Sequence, residues 1–77
     1  MKVTCYISKI VKEDIEIDDK FAILAHPRPW ELNLPKELYA EAINAVEEAI
    51  GYYMDDSYDN YVISVEETGT GEIMLEL

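Results

Sequence analysis

The chain has one cysteine, one histidine, three prolines, three glycines and only six Lys or Arg among its 77 residues. One cysteine closes no internal disulfide, and one cysteine with one histidine supplies too few ligands for a closed zinc site. That usage fits a reducing, cytoplasmic setting. No apolar run approaches the ~20 residues that span a bilayer. The opening MKVTCYISKIVKE is broken by lysine and polar residues, unlike a secretory leader. With 17 acids and a formal net charge of −11, the chain lacks the basic patches that binding to nucleic acid or anionic membrane requires. Apolar residues make up 49%, too many for a disordered acidic tail and enough for one small core. Residues 1–77 therefore read as a single domain.

The charge is unevenly spread. Residues 1–36 balance six bases (Lys2, Lys9, Lys12, Lys20, Arg28, Lys36) against six acids, whereas residues 37–77 hold eleven acids and no Lys or Arg. The whole excess lies in the C-terminal part. Such asymmetry marks either a partner of opposite sign or a solvated face.

Hydrophobic periodicity predicts an α+β fold, an antiparallel sheet of two hairpins packed by one amphipathic helix. Val3, Cys5 and Ile7 alternate with polar residues, and Ile15 and Ile17 resume the pattern after a turn at residues 12–14. Phe21–Ala25 is compatible with a helical turn or a short strand, and residues 26–30, His-Pro-Arg-Pro-Trp, with an extended loop whose Trp30 plugs the core. Asn33 is the expected N-cap of a helix running from about residue 35 to about 51, with Pro35 in its first turn and Gly51 a candidate terminator. At ~100° per residue its apolar face gathers Leu38, Tyr39, Ala42, Val46, Ala49, Ile50 and Tyr53. Glu37, Glu41 and Glu48 form a strip nearly opposite, which Asp55 joins if the helix continues. In the tail, Tyr61, Ile63 and Val65 face Ile73, Leu75 and Leu77 across a turn at Thr68–Thr70. That register pairs Val65 with Ile73 and opposes Glu66 to Glu72.

Several segments resemble catalytic or metal motifs. Tyr53-Met54-Asp55-Asp56 spells YMDD, which resembles the metal-binding motif of reverse transcriptases over four residues, in a chain far shorter than a polymerase palm. Asp55, Ser57, Asp59, Tyr61 and Glu66 occupy ligand positions of an EF-hand-like calcium loop, with Asn60 where that family has glycine. The residues after it read as strand rather than exiting helix, so a helix-to-strand loop is expected and no metal or cofactor is assigned. Cys5 and His26 are the residue types of a thiolate–imidazole pair, yet Cys5 falls on the apolar side of its strand, as a small buried hydrophobe does. The chain therefore reads as a non-enzyme. Residues 52–61 hold four of the six tyrosines and three aspartates. Periodicity assigns Tyr53 and Tyr61 to the core and leaves Tyr52 and Tyr58 as exposed anchors of the kind enriched in binding hot spots.

In size, charge and layout the whole chain resembles the small acidic anti-CRISPR and anti-restriction proteins of phages and mobile elements, several of which imitate DNA to occlude a nuclease's basic groove. The resemblance carries no shared motif and transfers no residue. It implies a DNA-mimic inhibitor in the host cytoplasm, monomeric or homodimeric, whose partner is a basic nucleic-acid-binding protein or nuclease, with no direct contact to nucleic acid or membrane. The residues expected to meet that partner are Glu37, Glu41, Glu48, Tyr52, Asp55, Asp56, Tyr58 and Asp59. The alternative is an interaction module, antitoxin-like or homo-oligomerising, that uses its apolar sheet face and tyrosines without mimicry. A phage structural or accessory protein with incidental acidity is a third reading.

Overall fold

The computed structural model describes residues 1–26 and 29–77, apart from the side chains of Pro29 and Trp30. The alternating N-terminal segment forms β1 (Lys2–Ile7), which pairs antiparallel with β2 (Glu13–Glu16) in a register that sets Val3 opposite Ile15. The tail forms β3 (Val62–Glu67) and β4 (Ile73–Glu76), and β3 lies antiparallel against β1, giving the order β2-β1-β3-β4. The fold is α+β, with two hairpins joined through their first strands. Val3, Cys5 and Ile7 point to one face, where Val62, Val65 and Leu75 meet them.

Two elements cover that face. Residues Asp19–Ala25 form a 3-10 helix whose N-terminus is capped by the Asp18 carboxylate accepting from the Lys20 N–H at 2.8 Å. Residues three apart eclipse in a 3-10 helix, so Phe21 and Leu24 share one side, and both are buried. This element packs on β3 and β4, while helix α1 (Lys36–Ile50) packs on β2. Ala42 and Val46 of α1 are wholly buried, with Leu38, Tyr39, Ile43, Ala45 and Ile50 partly so.

The ends of α1 differ from expectation at one side only. Asn33 is not the N-cap. It adopts a left-handed turn conformation (φ 50°), and extended Pro35 precedes the first helical residue without a side-chain cap. Gly51 does terminate the helix, at φ 82° with its N–H on the Glu47 carbonyl at 2.9 Å. The helix therefore stops before Tyr53 and Asp55. Tyr53 leaves the apolar face, Ala49 is exposed, and Ile43 and Ala45 take the contacts instead.

The tail register is also corrected. A bulge shifts the pairing so that Val65 faces Leu75 and Glu66 faces Ile73. Met74 and Leu75 are both buried, and Glu72 meets Glu67, whose N–H donates to the Glu72 carbonyl at 2.9 Å, instead of Glu66. A bulge adds one residue to one strand and re-aims its neighbours, which simple alternation does not encode. Residues Pro29–Leu32 form a short 3-10 turn rather than extended chain; Pro27, Arg28 and the proposed Trp30 plug lie outside the described residues. Among the described residues, no helix is long and apolar enough to cross a membrane.

Candidate functional site

Eleven carboxylates in residues 37–77 face only cations from the rest of the chain. Glu41 finds one, Lys20, at 3.0 Å, and both side chains are more than half exposed. Hydrogen bonding and the Glu41 charge raise the Lys20 pKa. Solvent screens an exposed pair of this kind and leaves it little weight in stability, so the pair chiefly removes Glu41 from the open strip. Three other carboxylates hold structure. Glu47 accepts the Met54 N–H at 2.9 Å, Asp55 accepts the Ser57 N–H at 3.0 Å, and Glu66 accepts the Tyr6 hydroxyl at 3.0 Å. The bond from Ser57 holds Asp55 below the usual carboxylate range, and the Glu66 contact raises the Tyr6 phenol.

Glu37, Glu48, Asp56, Asp59, Glu67, Glu72 and Glu76 have no side-chain partner among the described residues. The first four, and Glu76, are exposed. The expected strip along α1 is therefore real in placement but open only at Glu37 and Glu48.

The tyrosine-rich segment is arranged differently from the periodicity reading. Tyr52 turns inward and packs half-buried against the core, while Tyr53 is exposed and stacks on Tyr58 with centroids 4.8 Å apart and planes at 21°. Tyr58 is exposed as expected, and Tyr61 is half-buried beside Tyr53 through an isolated bridge. The swap of Tyr52 and Tyr53 follows from Gly51: its left-handed backbone breaks the 100° rotation that had placed Tyr53 on the helix face. Asn44, Glu47, Glu48, Gly51, Tyr52 and Tyr53 line a groove of about 360 Å³ at this end of α1. Glu47 carries no motif or periodicity signal in the sequence, and Tyr53, assigned there to the core, is exposed instead; the signal for that reversal is Gly51.

The second face of the sheet is polar around β1, with Ile73 exposed beside Glu66 on it. Thr4 donates to Asp14 at 2.8 Å and lies 2.8 Å from the Thr68 hydroxyl, beside the Tyr6–Glu66 bond. Glu66 is thus held within a strand, and the calcium-loop pattern loses its twelfth position and its exiting helix to β3. No group of three or more His, Cys, Asp or Glu side chains is placed to hold a metal among the described residues. The YMDD residues divide between an exposed ring, a half-buried Met54 and two exposed aspartates. Cys5 is wholly buried, and burial pushes its thiol up to about 11, the opposite of an activated nucleophile. Comparison with protein-family models, curated proteins and solved structures yields no match to this chain.

Proposed function

We propose that the protein is a small acidic inhibitor that occupies the basic groove of a nucleic-acid-binding protein or nuclease, without catalysis of its own. The carrying observation is the set of exposed, unpartnered carboxylates in residues 37–77, spread over α1, the Asp55–Asn60 loop and β4. The magnitudes fit one nucleic-acid strand rather than a duplex. The molecule is 33 Å long, a length over which one DNA strand carries about ten phosphates and a duplex about twenty. The net charge is −11. A basic cleft holds condensed counterions or phosphates that an acidic ligand of this density displaces.

Glu37 and Glu48 are the residues to reverse, since Glu41 is engaged by Lys20. The Glu37→Lys/Glu48→Lys double variant should keep its circular dichroism spectrum and lose the basic proteins that the wild-type chain retains from a lysate of its own cells. Unchanged retention would remove α1 from the binding surface.

One observation favours the alternative of self-association. Ile63, Ile73 and Leu77 are each more than two-fifths exposed near the β4 edge, and the Leu77 N–H reaches the Ile63 carbonyl at 2.8 Å. Sedimentation across a hundredfold concentration range separates the readings: a homo-oligomer grows with concentration, and an inhibitor that works as one copy does not.

A further inference from the structure

The C-terminal end of α1 combines two features that ordinary helices avoid. Its last turn contains Glu47 and Glu48 and no base, although the backbone there already carries about half a negative charge. Departures from local preference of this sort are expected at functional sites. Next to it, Tyr53 and Tyr58 stack on each other while remaining 52% and 49% exposed. Tyrosine is enriched among the residues that anchor interfaces, where its ring is buried and its hydroxyl stays wet.

The groove between these features is partly preorganised. The Met54 N–H fixes the Glu47 carboxylate, Tyr52 packs its floor to the core, and Glu48 and Asn44 on the rim add exposed acceptors. We infer that this groove and the Tyr53–Tyr58 stack form a docking site for an arginine side chain of the partner. The inference rests on the reading of a basic partner and names its point of contact. Guanidinium is selected by shape as well as charge: its plane stacks on an aromatic ring while its edge donates to a carboxylate. A lysine ammonium answers the charge but not the plane.

The test uses two peptides of equal length and charge, glycine alternating with arginine or with lysine, titrated into the full chain. The arginine peptide should bind about threefold or more tightly and shift the amide resonances of Gly51, Tyr53 and Tyr58. Tyr53→Leu and Tyr58→Leu should each erase the arginine preference, and Glu48→Gln should weaken both peptides. Equal affinities, or shifts confined to other parts of the chain, would overturn the site; both readouts come from the unmodified protein, so a variant that fails to fold does not blur the result. If the arginine preference holds while single-stranded nucleic acid fails to displace the captured partner, nucleic-acid mimicry falls and this site stands. If displacement holds with equal peptide affinities, the reverse is true.

Discussion

Cys5 lies between Glu13 on β2 and Val65 on β3, and its burial is complete. Because the folded thiol is raised from 9.0 to about 11, the native state binds the proton more tightly than the unfolded chain does. Its contribution to stability is whole below pH 9 and is lost as pH climbs through 11. The stability difference between wild type and Cys5→Ala should therefore narrow or reverse over that window in alkaline denaturation curves. At pH 8 the native thiol should resist a disulfide reagent until denaturant is added; full labelling within minutes in native buffer would contradict its burial. The 3-10 helix offers a sharper residue test. Leu24→Ala should cost about 2–5 kcal/mol through the cavity it leaves, while Ile23→Ala, at a position 46% exposed, should stay within about 0.5 kcal/mol. Comparable losses at both positions would mean that Phe21 and Leu24 do not share the buried side.

Helix α1 depends on Gly51 for its end, at φ 82°. An alanine there has room but must adopt a left-handed backbone, so Gly51→Ala should lower stability by about 1 kcal/mol in urea titration. A neutral result would move the helix terminus elsewhere. This residue also explains what was legible. Long periodic segments announced both hairpins and α1, because Val3, Cys5, Ile7, Ala42 and Val46 obey one period throughout their elements. The inward turn of Tyr52, the outward turn of Tyr53 and the paired burial of Met74 and Leu75 did not follow from periodicity. Each lies just past a left-handed glycine or at a bulge, where the period is reset. The loss of Glu41 to Lys20 joins elements 21 residues apart in sequence, a contact that no local pattern encodes. Both sheet edges carry acids, Glu13, Asp14 and Glu16 on β2 and Glu76 on β4, and like charges on exposed edges discourage strand pairing between copies.

At the scale of the whole molecule, −11 charges on a body 33 Å long repel one another. Salt screens exposed charges over ~8–10 Å, so the thermal midpoint should rise between low and physiological ionic strength; a flat midpoint would mean that the open carboxylates are too dispersed to act together. The same field is what the proposed partner would meet, and its binding should weaken steeply as salt increases. The decisive measurement holds salt constant. Partner captured on the immobilised chain is challenged with a single-stranded DNA or RNA oligonucleotide at fixed ionic strength, with an equally charged non-nucleic polyanion as control. Occupation of a nucleic-acid groove predicts release by the oligonucleotide at concentrations where the control leaves the complex intact. Retention of the partner under saturating oligonucleotide would contradict it.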